Sequence, residues 1–295
     1  MNLRPAALFV LCLLAVGGCS SAPAHGDADS LPVPLDGVTV VAERQAGALH
    51  EAEERSVEAC MQRRGFTYEP VPGGRYVSAN PYGLLTEDAA GADGYGLASV
   101  ALAGPAEDPN TAAVARLAEP RRTAWQKALI GTGERQITLT ASGAPTLRVN
   151  TDGCVYLARR DVYGGAWEQA EVDATGAATE IVAQVVASPE FVAAQKTWAA
   201  CMAEQGEKVT TLQQARRLIQ EAVLRAGGDR SALLRTGRRE QQLARRDALC
   251  QSRGDLAEAT RTAQEHVQAR LPESSWTKAR RVGELRERAL RRTGA

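Results

Sequence analysis

The chain has 295 residues, with 35 basic and 35 acidic side chains, 4% aromatics and three histidines. That length suits one large domain or two small ones. A formal charge of zero gives no basic surface along the whole chain, and three histidines leave little material for imidazole or metal chemistry.

In chain order, the first segment sets the compartment. In "MNLRPAALFVLCLLAVGGCSS", Arg4 supplies a positive charge and Ala6 to Val16 form an apolar run of 11 residues. A membrane span needs about 20 residues, whereas this length suits the core of a signal peptide. "VGGCSS" resembles the lipobox of bacterial lipoproteins, which implies cleavage before Cys19 and a diacylglyceryl group on its sulfur. Two acyl chains at about 0.8 kcal/mol per buried CH₂ hold a protein on a membrane where one does not. Residues 1–18 then read as a removed signal peptide and 19–40 as a flexible tether, polar and Pro-containing from Ser20 to Pro34. The expected location is the outer face of the cell membrane. The lipid is its sole anchor, because no LPxTG signal occurs.

Four cysteines remain beyond the anchor: Cys60, Cys154, Cys201 and Cys250. An even number in an oxidising compartment favours disulfides. Two of them share a phrase, "EACMQRRG" at 58–65 and "AACMAEQG" at 199–206. Helical spacing turns each cysteine inward beside its methionine, and Gly65 and Gly206 read as residues that end each helix with φ > 0. Four cysteines allow three pairings. The favoured one staples each Cys-Met helix to the next cysteine in line, Cys60 to Cys154 and Cys201 to Cys250. A four-cysteine zinc site lacks its usual close-spaced pairs, so neither metal nor cofactor is expected.

Between these points, Ala42 to Arg64 predicts a helix and the alternating "FTYEPV" a short strand. A short helix follows from Thr86 to Asp93, and Thr111 to Ile130 is helical but divided by Pro120. "QITLTASGAPTLRVN" predicts a hairpin with a Ser-Gly turn. Thr151 or Asp152 caps the helix holding Cys154. Past Trp167 the chain is helical, with breaks near Pro189, Gly206, Gly227-Gly228, Gly254 and Pro272. The fold expected is mainly α: a small α+β front at 41–165 with a β-hairpin, then an all-helical back at 166–295.

Charge divides along the same line. Residues 19–210 carry 15 basic and 25 acidic side chains, and residues 211–295 carry 19 basic and 10 acidic. Such a basic tail suits the acidic front, an anionic membrane or an anionic wall polymer. Nucleic acid is not expected outside the cell.

Catalytic signatures are missing: no G-x-S-x-G, no H-E-x-x-H, no phosphate loop and no C-x-x-C. Two constellations stand out. Glu240 and Asp247 share a helical stripe with Cys250, which predicts buried acids. Tyr76, Tyr82, Tyr95 and Trp125 gather aromatics among glycines and can wall a shallow ligand site.

The pieces "VEACMQRRGFTYEP", "NPYGLLTEDAAGADGYGL", "DGCVYLARRDVYG", "WAACMAEQG" and "EQQLARRDALCQSRGDL" resemble uncharacterised lipoproteins of high-GC Gram-positive bacteria. That resemblance implies export and a cysteine framework, and no activity. The functional expectation is a non-enzymatic envelope protein binding a partner protein, wall polymer or small ligand. The alternative is a cell-envelope hydrolase of glycosidase type, with Glu240 and Asp247 or Glu53 and Glu58 as paired carboxylates.

Overall fold

The computed structural model describes residues 31–74, 79–104, 107–140 and 146–294. Its first long element is α1 (Glu43–Arg63), followed by the short helices α2 (Glu87–Asp93) and α3 (Leu97–Ala103). Then come α4 (Thr111–Ala115), α5 (Glu119–Ile130) and strands β1 (Gln136–Leu139) and β2 (Leu147–Asn150). The strands pair antiparallel, with Gln136 opposite Asn150 and Leu139 opposite Leu147. Helix α6 (Cys154–Tyr163) leads into α7 (Trp167–Val186), α8 (Pro189–Glu204), α9 (Leu212–Ala226), α10 (Arg230–Arg253), α11 (Leu256–Gln268) and α12 (Glu273–Thr293). The fold is mainly α with a small β-hairpin.

Local chemistry sets these boundaries. Side chains of Thr86, Ser188, Thr211 and Asp229 each accept a hydrogen bond from the first turn of the helix they precede, satisfying a donor that has no intrahelical partner. Pro120 lies in the first turn of α5, where its missing N–H costs nothing, and so divides α4 from α5. The repeated Cys-Met phrase makes the same ending twice. Gly65 (φ 76°) donates to the carbonyl of Gln62, and Phe66 to that of Met61. Gly206 (φ 80°) donates to Ala203, and Glu207 to Met202. This paired pattern is the Schellman ending of a helix.

Each phrase then delivers its cysteine to a disulfide. Cys60 is bonded to Cys154 and Cys201 to Cys250, both with Cα atoms 5.6 Å apart. The first bond lies among Val57, Met61, Tyr68, Trp125 and Ala158, in the core between α1, α5 and α6. The second lies in the largest core, with Trp198, Met202, Leu243 and Phe191. Tyr82 and Tyr95 from the front of the chain pack in that same core. A third cluster joins Leu49 of α1, Tyr163 and Trp167, and Val282 and Leu285 of α12.

The structure corrects several expectations. "FTYEPV" is not a strand: its backbone is satisfied by side chains instead. Asn110 accepts from Glu69 N and donates to Glu69 O, while Glu54 accepts from Val71 N and from the Tyr68 hydroxyl. Neither Thr151 nor Asp152 caps α6; Gly153 holds the cap position, and Asp152 accepts from Thr132. Glycine is required at 153, where a Cβ would sit 2.5 Å from the backbone of Ile130. The tether's last ten residues belong to the fold. Pro34–Gly37 forms a 3₁₀ turn, Leu35 is buried, and its N–H donates to Gln268. The signal segment, Cys19, Tyr76 and the hairpin's Ser-Gly turn lie outside the described residues.

Replacing Cys60 or Cys201 by Ser removes a closure of 94 or 49 residues. Each variant is expected to lose about 2–4 kcal/mol in urea unfolding. Gly65→Ala and Gly206→Ala meet open space, so their expected loss of about 1 kcal/mol each is purely a backbone cost. Unchanged midpoints in the glycine variants would rule out the left-handed endings.

Candidate functional site

Helix α10 carries its two acids inward, both 1% exposed. Glu240 Oε1 accepts from the backbone N–H groups of Tyr95 and Leu97, at 3.0 and 2.8 Å, and Oε2 from that of Ala98 at 2.8 Å. It therefore caps α3, whose own preceding residue, Gly96, has no side chain for the purpose. Asp247 Oδ1 accepts from Trp198 Nε1 and Gln251 Nε2, both at 2.8 Å, and Oδ2 from the Tyr95 hydroxyl at 2.7 Å. One turn on, Gln251 accepts from Leu85 N and donates to Gly83 O. These three residues fasten the irregular segment 80–98 onto the helical back.

Burial pushes both carboxyls above the usual carboxylate range. The backbone donors at Glu240, and Tyr95, Gln251 and Trp198 at Asp247, pull the other way. All four oxygens are occupied, and neither acid lines either cavity described below. Of the other proposed pair, Glu53 accepts from the Tyr163 hydroxyl and Glu58 from Gln62.

The predicted aromatic wall does not assemble. Tyr82 is fully buried, its hydroxyl donating to Gln264 at 2.7 Å. Trp125 belongs to a different core, facing Tyr68 with ring centroids 6.2 Å apart and its Nε1 donating to Thr67 O. Only Tyr95 of the described three reaches a cavity.

Two of the cavities among the described residues are lined in part by Tyr or Trp. The first, about 350 Å³, opens between α1, α7 and α12 and includes His50, Glu53, Tyr163, Trp167, Glu171 and Arg286 in its lining. Tyr163 and Trp167 stack with centroids 4.0 Å apart and planes 15° apart. Trp167 is 4% exposed, and its buried Nε1 finds no acceptor among the described residues. Such an orphan donor costs about 1–3 kcal/mol. Nearby, Arg159 forms ion pairs with Glu168 and Glu171. Sequence reasoning missed this site, because its residues come from four separate segments and none belongs to a motif.

The second cavity is larger, about 600 Å³, and mainly apolar. Leu31, Val33, Leu84, Leu85, Tyr95 and Leu212 form its walls, and Arg216 and Asp93 stand among them. Both volumes fall in the range of about 300–1,000 Å³ common for ligand sites. Among the described residues, no group of three or more His, Cys, Asp or Glu is placed to hold a metal ion.

A raised carboxyl pKa means that the folded chain binds its proton more tightly than the unfolded chain does. Stability from Asp247 is therefore fully present below the ordinary carboxylate pKa and is lost as pH rises through the folded value. The stability difference between wild type and Asp247→Asn, from urea unfolding at several pH values, is expected to move against wild type as pH rises above about 4. A difference that instead grows in favour of wild type with rising pH would show that the hydrogen bonds outweigh burial.

No family model, curated protein or solved structure matches this chain.

Proposed function

We propose that the chain is an exported, lipid-anchored, non-enzymatic binding protein on the outer face of the cell membrane, held there by a diacylglyceryl group on Cys19. The observation that carries this reading is that all four cysteines beyond the anchor are paired in two core disulfides. Such bonds persist in oxidising compartments and are rare in the cytosol. The sequence pattern of Arg4, the apolar run and Cys19 supplies the route and the anchor. Among the described residues, no helix is long and apolar enough to cross a membrane.

Of the three kinds of partner considered, a small ligand has the clearest structural support. The cavity beside Trp167 combines an aromatic stack, two carboxylates and a guanidinium. The buried acids of α10 support the non-enzymatic part of the reading, because their oxygens already serve the scaffold.

Metabolic labelling with palmitate tests the reading directly. The wild-type chain is expected to carry label and to fractionate with membranes, and Cys19→Ala to lose the label and leave the membrane fraction. Alkylation of the unreduced protein is expected to find none of the other cysteines reactive. Unlabelled, cytosolic protein with free thiols would overturn the assignment.

A further inference from the structure

We infer that the apolar groove beside Arg216 is a binding site for an amphiphile with a single acyl chain and an anionic head. This inference goes beyond the proposal above and rests on a different cavity.

The groove runs along segment 79–96 and the start of α9, with Leu31, Val33, Leu84, Leu85 and Leu212 as its hydrocarbon wall. Exposed apolar surface of this kind, concave and continuous, is favourably covered by another apolar body. A wall made largely of small and aliphatic residues suits a hydrocarbon chain. Ala89 and Ala92 complete it, and both are exposed to solvent.

The head group is set by charge. Arg216 lines the groove half-buried, with its guanidinium 5.8 Å from the centroid of the Tyr95 ring. No ion pair to Arg216 occurs among the described residues, in a protein where Arg159, Arg239 and Arg246 each have one. Asp93 also lines the groove, but its carboxylate already accepts from Ser99 Oγ at 2.7 Å. Arg216 thus has no ion pair among the described residues, and its planar fork matches a carboxylate or phosphate. An apolar trough with such a guanidinium is the complement of an anionic amphiphile.

Calorimetric titration of the full-length protein with dodecanoate, kept below its micelle concentration, tests the inference. Affinity is expected to rise roughly threefold to fourfold for each methylene added from hexanoate to dodecanoate. Dodecanol is expected to bind at least tenfold more weakly than dodecanoate, and Arg216→Gln to remove that preference. Ala89→Trp and Ala92→Trp fill the groove from its solvent side and are expected to abolish binding while melting like wild type.

Three results would overturn the inference. Binding that is independent of chain length would mean simple charge attraction. Folded tryptophan variants that bind normally would place the ligand elsewhere. Binding by full-length Cys19→Ala, but not by lipidated protein from membranes, would mean that the groove holds the chain's own acyl group. None of these results touches palmitate labelling of Cys19, so the two proposals fail separately.

Discussion

The fold depends on the satisfaction of two carboxyl groups that face inward from α10. A buried carboxyl without partners costs several kcal/mol, so Glu240 and Asp247 are tolerable only where donors surround them. Glu240 obtains them from the backbone N–H groups of Tyr95, Leu97 and Ala98, and Asp247 from Tyr95, Trp198 and Gln251. Segment 80–98 holds only the short helix α2 and the start of α3, joined by turns. The acids hold it in place, and it in turn supplies the donors they require. Gly94 shows how tight the arrangement is: a Cβ there would lie 2.8 Å from the Glu240 side chain.

The disulfides act on a different part of the balance. Each closes a loop inside a hydrophobic cluster and so restricts the unfolded chain, whereas the α10 acids specify one folded arrangement. Both Cys-Met helices end in the same glycine motif, with Gly65 and Gly206 at positive φ shortly after the bonded cysteine. This much was legible in the sequence, since Cys, Met and Gly at fixed spacing determine face and ending locally. The helix breaks at Pro189, Gly206 and Gly227-Gly228 were legible for the same reason. The extended run 66–71 was not, because its partners, Asn110 and Glu54, come from other elements. Glu240 and Asp247 could be read as buried from their stripe, but their donors lie up to 152 residues away and carry no local signal.

Charge segregation in the chain also finds a structural use. Glu207, just past the second Cys-Met phrase, is held below the usual carboxylate range by Arg239 and, with it, Arg246. Asp173 of α7 meets Lys278 of α12 in the same sense, acidic front to basic tail. Other arginines reach backbone carbonyls: Arg286 those of Val38 and Val40, Arg292 that of Val162, and Arg245 that of Gly91. The guanidinium thus serves, besides its ion pairs, as a multiple donor to backbone carbonyls, for which lysine's single ammonium is a poor substitute. Arg216 is used differently again, lining the apolar groove with its guanidinium 5.8 Å from the Tyr95 ring centroid.

The same irregular segment faces two ways. One side supplies the donors for α10, and residues 79–81, 83–86, 89 and 92–96 line the apolar groove. Fixing the first side fixes the second, because Tyr95 takes part in both: its N–H and hydroxyl bind the acids while its ring lies near Arg216. A groove built from a free loop would have to be ordered by its ligand, and that ordering entropy would be subtracted from the affinity. Here the buried acids have met that cost during folding. The groove is thus preformed, and the scaffold's most expensive polar contacts give the binding surface its rigidity.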